Sequence, residues 1–269
     1  SDACVVQTTE GRIGGYEELY NRHGFAYLEG DGYVHPQFEG QGIGTSFLRA
    51  LEARARAVME QAEPDLQIFI RNGMGLNDRS AHKLHENEGY HVIRYSWRME
   101  IVLDAPPPPP VWPEGVELRP YQVKEQARAV FEAVNESFRD HWGHTLMKYE
   151  IWERKTILRA GFDPTLSFIA WDGDQIAGIA LCRLKPQVGW VGTLGVRRAW
   201  RKRGLGLSLL QQAFSELHRR GVKTIGLGVD AGSLTGATRL YQRAGMQVAS
   251  EYVFYQKELR PGREIEEEE

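Results

Sequence analysis

Residues 191–221 read VGTLGVRRAWRKRGLGLSLLQQAFSELHRRG, and they predict a strand, a glycine-containing turn and a helix in immediate succession. The apolar run from Trp190 to Val196 indicates the strand. Apolar side chains then recur at helical spacing, at Leu205, Leu209, Leu210, Ala213, Phe214 and Leu217. Gly221 follows two arginines and marks the end of the helix. The stretch therefore predicts an α/β fold in which a helix begins soon after a strand ends.

The turn between this strand and this helix has the features of an anion-binding loop. Five of the seven residues 197–203 are basic, and glycines occupy positions 204 and 206. Glycine lets backbone N–H groups approach a phosphate closely, and a helix N-terminus adds unpaired donors and the positive end of its dipole. We interpret the turn as a phosphate-binding loop; the alternative is a solvent-exposed turn with a basic face.

The segment Arg201–Gly206 resembles the acyl-CoA-binding motif of the GNAT superfamily of N-acetyltransferases, in which (Gln/Arg)-x-x-Gly-x-(Gly/Ala) joins the fourth strand to the third helix. A second segment, LYQRAGM at 240–246, resembles the family's Leu-Tyr-x-x-x-Gly-Phe, with Ala237 at the usual small-residue position. The turn has neither the Gly-Lys-Ser/Thr of a P-loop nor the third glycine of a dinucleotide-binding fold.

The same two patterns also occur in the first half of the chain. EGQGIG at 39–44 precedes another predicted helix, and LHENEGY at 84–90 matches the segment 240–246, so that His85 stands where Tyr241 stands. The resemblance therefore implies two tandem GNAT-like domains, each a mixed, mostly antiparallel sheet flanked by helices. Proteins of the mycothiol synthase type are built in this way.

The domain limits follow from a run of five prolines at 106–110, which is typical of a stiff linker. We expect a degenerate GNAT-like domain at 1–104, a proline-rich linker at 105–115, a catalytic GNAT domain at 116–260 and an acidic tail at 261–269.

The two predicted domains are not equivalent. The first lacks the opening strand and the two helices that the second has at 116–158, and it carries Glu39 where the family has Arg or Gln. Residues 1–104 contain 10 Lys and Arg against 16 Asp and Glu, whereas residues 105–269 contain 23 against 20. We therefore expect catalysis in the second domain. The first offers a second candidate cofactor site at Gln41, Gly42, Ile43 and Gly44.

The resemblance implies that an acetyl group passes from acetyl-CoA to a primary amine by direct attack. The implied cofactor-binding residues are Leu194, Gly195, Val196, Arg201, Lys202, Arg203, Gly204, Leu205, Gly206, Ser208 and Ser233. Tyr241 is the candidate general acid for the departing thiolate; the alternative is a tyrosine packed in the core.

The acceptor side is less well defined by the sequence. The general base remains open among Glu150, His141, Asp140 and a chain of water molecules. Candidate walls of an acceptor pocket are Trp142, Tyr149, Trp152 and Trp190. The acceptor itself remains open among an amino sugar, an aminoglycoside, a polyamine and a protein N-terminus.

Composition limits the remaining function classes. No apolar run of 18 residues is present, and two cysteines, Cys4 and Cys182, make no disulfide framework. The chain is acidic overall, with a net charge of −3. We therefore predict a cytoplasmic protein without a metal site, a membrane span or a nucleic-acid partner, and leave its oligomeric state open. The alternative function is a non-catalytic CoA-binding sensor or scaffold.

Overall fold

The computed structural model describes residues 2–139, 148–233 and 236–264. The chain forms two compact units. One contains Ser1–Ser96 and Glu251–Glu269, and the other contains Trp97–Ser250. Each unit combines a mixed sheet with helices, as the sequence predicts.

The first unit contains a sheet in the order β1-β2-β3-β4-β11, in which β11 is the final strand, Gln247–Arg260. Its complete elements are β1 (Ala3–Gln7), β2 (Ile13–His23), β3 (Tyr27–Val34), α1 (Ile43–Val58), β4 (Ile68–Gly75) and α2 (Arg79–Asn87). All of these strand pairs are antiparallel except β3 with β4. Helix α1 lies so close to the sheet that a Cβ atom on Gly30 would stand 2.3 Å from Leu51 Cδ2.

The second unit contains a sheet in the order β10-β9-β8-β7-β6. Its complete elements are β6 (Val116–Arg119), α3 (Val123–Phe138), α4 (Tyr149–Thr156), β7 (Ser167–Asp172), β8 (Gln175–Lys185), β9 (Val188–Val196), α5 (Leu205–Arg219), β10 (Thr224–Asp230) and α6 (Ala237–Arg243). A Cβ atom on Gly178 would lie 2.9 Å from Leu209 of α5, and one on Gly195 would lie 2.8 Å from Ser137 of α3. Both helices are therefore in direct contact with the sheet.

The last strand of each predicted domain, β5 (His91–Val102) and β11, is not assigned to a compact unit as its place in the sequence would suggest. β5 divides after Ser96, and most of β11 belongs to the first unit, where it pairs antiparallel with β4. Strand pairing joins segments far apart in the chain, so a strand's position in the sequence does not identify its sheet. The predicted domain limits, 1–104 and 116–260, describe the repeat in the sequence and stay a prediction. Of the predicted acidic tail, 265–269 lie outside the described residues.

Candidate active site

The predicted phosphate-binding turn of the second unit presents a row of unpaired backbone donors. Helix α5 begins at Leu205 after Gly204, whose φ of 88° lies in the left-handed region and whose capping position has no side-chain hydrogen bond. Within the described part of the chain, the N–H groups of 202–206 donate no backbone hydrogen bond. Lys202 and Arg203 are exposed beside them. These donors and cations suit a polyphosphate.

The turn is held in a constrained conformation. Lys202 has a φ of 64°, which is rare for a residue with a Cβ atom and costs about 1–3 kcal/mol. Gly206 packs under α6, because a Cβ atom at this position would stand 3.2 Å from Leu240 Cδ2. The strain at Lys202 is consistent with a loop whose backbone must point its N–H groups in one direction.

Two of the arginines before the turn are engaged within the protein. Arg201 donates from Nε to the Val196 carbonyl at 3.1 Å and from Nη2 to the Ser137 carbonyl at 3.0 Å. Arg197 forms an ion pair with Glu136 at 2.6 Å. Arg201 therefore joins the end of β9 to the end of α3, and its side chain supports the loop.

The two predicted serines occupy different environments. Ser208 is 2% exposed; its hydroxyl donates to the Val111 carbonyl and its N–H group to the Gly204 carbonyl. Both groups are used inside the protein, and binding of a pyrophosphate by Ser208 stays a prediction. Ser233 follows β10, is half-buried, and donates its N–H group to the Asp230 carbonyl at 3.1 Å.

Strands β9 and β10 separate before they reach the turn. Their parallel pairing ends at Trp190 with Gly226, although β9 continues to Val196 and β10 to Asp230. On its other side, β9 has a bulge, because its register with β8 passes over Gly192. A bulge bends a strand and raises its local twist. An opening therefore runs beside Leu194, Gly195 and Val196 and ends at the glycine turn.

Tyr241 lies on α6, directly after the leucine that contacts Gly206. It is 8% exposed, and burial raises its pKa to about 12. Within the described residues its hydroxyl forms no hydrogen bond. The phenol is therefore protonated at neutral pH, as a proton donor must be.

Comparison with known proteins identifies the family. The family model for the acetyltransferase (GNAT) family matches residues 127–246. A mycothiol acetyltransferase from Thermobispora bispora is 30% identical over 248 residues, which cover 87% of this chain and 79% of that protein. The chain belongs to the GNAT family of acetyltransferases. The GNAT assignment made from the two sequence motifs is thereby confirmed.

Solved GNAT structures support the same assignment. The crystal structure of a GCN5-related N-acetyltransferase from Sphaerobacter thermophilus is 39% identical, with a TM-score of 0.89, and the match covers 98% of this chain and 82% of that one. A tandem GNAT protein from the clavulanic acid biosynthesis pathway, at 17% identity, has a TM-score of 0.73 over 97% of this chain and 85% of its own. The second likeness shows the shared tandem fold. As a GNAT protein, this chain is an acyl-CoA-dependent acetyltransferase.

The first unit of this GNAT protein repeats the glycine turn. Helix α1 begins after Gly42, which has a φ of 82°, and a Cβ atom on Gly44 would stand 3.2 Å from Leu84. The N–H groups of 40–44 donate no backbone hydrogen bond within the described residues. Parallel pairing of β3 with β4 ends at Gly30, before β3 itself ends. The candidate cofactor site at Gln41, Gly42, Ile43 and Gly44 thus has the same backbone arrangement.

At the candidate site, the first unit also differs from the second in the strand beside the opening and in the residue at the Tyr241 position. The register of β2 with β3 runs without a bulge from Gly15 to Asn21. The facing part of β3 therefore lacks a bulge like the one at Gly192 in β9. His85 replaces Tyr241; it is 7% exposed, burial lowers its pKa, and its Nδ1 lies 2.8 Å from the Ala81 carbonyl.

The predicted acceptor walls are only partly described. Trp152 is 6% exposed and packs against Phe131, with ring centroids 5.6 Å apart, so it is a core residue. The Tyr149 hydroxyl donates to Glu153 at 3.0 Å. Glu150 is exposed in the first turn of α4. The other candidates, Asp140, His141 and Trp142, lie outside the described residues.

Covalent catalysis by cysteine does not fit the described part of the chain. Cys182 is buried, and burial raises the pKa of its thiol to about 12, whereas Cys4 is exposed in β1 of the first unit. A thiol must ionise to act as a nucleophile. The described residues contain no group of His, Cys, Asp and Glu arranged to hold a metal ion, and no described helix is long and apolar enough to cross a bilayer.

Sequence reasoning did not identify Gly192 or the anchoring role of Arg201. The signal for the bulge was present, because β9 contains three glycines, at 189, 192 and 195, and an isolated glycine in a strand indicates a bulge or a close approach. The contacts of Arg201 had no such signal, since they join carbonyl groups on two separate elements.

Proposed function

We propose that the second unit transfers the acetyl group of acetyl-CoA to a primary amine of a small molecule by direct attack. The observation that carries this proposal is the row of unpaired N–H groups at 202–206, which stands at the end of the opening between β9 and β10. A phosphate-binding turn at the end of an elongated cleft fits a cofactor that has a pyrophosphate at one end of a long arm.

The cofactor would lie with its pyrophosphate on the N–H groups of 203–206 and its pantetheine arm along β9. The positive charges of Lys202 and Arg203 would attract the pyrophosphate, and Ser233 would contact the cofactor from the end of β10. The backbone of Leu194, Gly195 and Val196 would pair with the arm. A backbone N–H group of this strand, aimed at the thioester oxygen, would stabilise the negative charge that develops there.

The reaction would form a bond between the amine nitrogen and the acetyl carbon and break the bond between that carbon and sulfur. Tyr241 would donate a hydrogen bond or its phenolic proton to the departing thiolate, since a phenol with a pKa of about 12 is protonated when the sulfur leaves. The proton lost by the ammonium would pass to a base on the acceptor side, for which Glu150, His141, Asp140 and water remain candidates. Because the amine would attack the thioester directly, both substrates would be bound together.

The first unit would serve as a support and as a weaker cofactor site. Its glycine turn offers the same backbone donors at 40–44, but Glu39 places a carboxylate where the second unit has Arg201. Like charges repel, so Glu39 would weaken pyrophosphate binding. We therefore propose the degenerate domain 1–104 and the catalytic domain 116–260 as the functional division of the chain.

The relatives named mycothiol acetyltransferase support a small-molecule acceptor. The test is to measure release of free CoA thiol from acetyl-CoA in the presence of amino sugars, aminoglycosides, polyamines and a peptide with a free N-terminus. We expect thiol release with at least one small-molecule amine. Binding of acetyl-CoA without thiol release for any amine would contradict the proposal and favour a non-catalytic sensor or scaffold.

A further inference from the structure

Two cations lie at the end of β8 in the second unit, and a third lies in the segment between α4 and β7. We call Arg159, Arg183 and Lys185 the basic cluster. Arg183 and Lys185 stand two residues apart on β8 and therefore share a face of the sheet. Arg183 pairs across the strands with Trp190, and Lys185 Nζ lies 3.7 Å from the centre of the Trp190 ring system.

None of the three side chains in the basic cluster is paired with an anion within the described residues. The Nε atoms of Arg159 and Arg183 are fully buried and have no hydrogen-bond partner. Neither arginine forms an ion pair with any described residue, and neither does Lys185. The neighbouring Arg98 differs, because it donates to Glu100 at 2.7 Å. A buried guanidinium donor without a partner is unfavourable, so a bound anion would relieve it.

The charges in the cluster also act on one another. Desolvation lowers the pKa of Lys185, and the neighbouring Arg183 and Arg98 lower it further. Desolvation likewise lowers the pKa of Arg159, with Arg183 as the second cause. A concentration of repelling cations around an indole ring suits an anionic ligand with a carbon skeleton, because the ring gives it an apolar surface.

The cluster lies at the acceptor end of the proposed cofactor site. Trp190 is the last residue of β9 that pairs with β10, so the opening closes there. The pyrophosphate turn follows Val196, six residues further along the strand, or roughly 20 Å away at about 3.3 Å per residue. A cofactor bound at the turn would point its acetyl end towards Trp190, and its own phosphates would lie far from the cluster.

We infer that the acceptor amine carries an anionic group, a carboxylate or a phosphate, which binds to Arg159, Arg183 and Lys185 while its carbon skeleton packs against Trp190. The inference rests on the proposed acetyl transfer to an amine and specifies its substrate class. Arginine binds carboxylates and phosphates through paired N–H donors, whereas a neutral amine would leave the cluster unpaired.

The test compares amines that differ only in the anionic group. Glucosamine is paired with glucosamine 6-phosphate, and β-alanine amide with β-alanine; the acceptor kcat/KM is measured for the wild type, Arg183→Gln, Arg183→Lys and Arg154→Gln. The wild type should prefer the anionic member of one pair by about tenfold or more, as expected for a hydrogen bond between charged groups. The pair that shows the preference distinguishes a phosphate from a carboxylate.

Arg183→Gln should remove the preference, and Arg183→Lys should keep part of it, both with an unchanged KM for acetyl-CoA. Arg154 is exposed on α4, so Arg154→Gln should behave as the wild type.

Turnover of both members of each pair without preference would overturn the inference and leave acetyl transfer to amines intact. A raised KM for acetyl-CoA in Arg183→Gln would assign the cluster to the cofactor and also overturn it. Absence of turnover with every amine, despite acetyl-CoA binding, would overturn the proposed function and this inference together.

Discussion

Replacing Gly206 by valine should raise the KM for acetyl-CoA by about a hundredfold or more. A Cβ atom at this position would stand 3.2 Å from Leu240 and 3.7 Å from Val196, and the branched side chain would extend beside the N–H row of the turn. Losing two hydrogen bonds to a charged phosphate, at about 1.5–3 kcal/mol each, corresponds to at least this factor. Steady-state kinetics with acetyl-CoA as the varied substrate measure the effect.

The first unit provides a matched control for this substitution. A Cβ atom on Gly44 would stand 3.2 Å from Leu84 and 3.8 Å from Val34, which is almost the same crowding. Gly44→Val therefore imposes a similar packing penalty on the other glycine turn. We expect it to leave the kinetics of acetyl transfer nearly unchanged. Equal losses in the two variants, or a wild-type KM in Gly206→Val, would contradict the assignment of catalysis to the second unit.

Replacing Tyr241 by phenylalanine should lower kcat by about 10²–10⁴, the usual contribution of a general acid. The KM for acetyl-CoA should change little, because the hydroxyl makes no hydrogen bond within the described residues and the ring is retained. Global stability should also be nearly unchanged for the same reason. Measuring kcat, KM and the melting temperature of both proteins separates catalysis from folding.

The pH dependence gives a second readout for Tyr241. Its pKa is raised to about 12, so the phenol holds its proton below this pH and loses it only as the pH rises through 12. Any change in kcat between pH 6 and 9 should therefore belong to another group and persist in Tyr241→Phe. His85→Phe, at the equivalent position of the first unit, should retain wild-type kcat. An unchanged kcat in Tyr241→Phe would remove this residue from the mechanism.

The strand, the glycine turn and helix α5 were predictable because their signals are local. Leu205, Leu209 and Leu217 recur at helical spacing and are all buried in the structure. The repeat was also predictable. The turn before each helix needs a residue with a positive φ, which favours glycine, and glycine occurs in both turns, at Gly42 and Gly204.

Features that depend on contacts between residues far apart in the chain could not be predicted from the sequence. Ser208 matched a cofactor-binding position, yet its hydroxyl bonds the carbonyl of Val111, 97 residues earlier. The final strand β11 follows the second unit in sequence but pairs with β4 of the first. The basic cluster combines Arg159 with Arg183 from another element, and periodicity within one element does not predict such a meeting.

A crystal structure of the full chain with bound acetyl-CoA tests the central claim most directly. We predict pyrophosphate oxygens within about 2.7–3.2 Å of backbone nitrogens in the segment 203–206. We also predict the sulfur atom between β9 and β10, with the acetyl group directed towards Trp190. A cofactor bound only in the first unit, or a pyrophosphate distant from the N–H groups of 202–206, would contradict it.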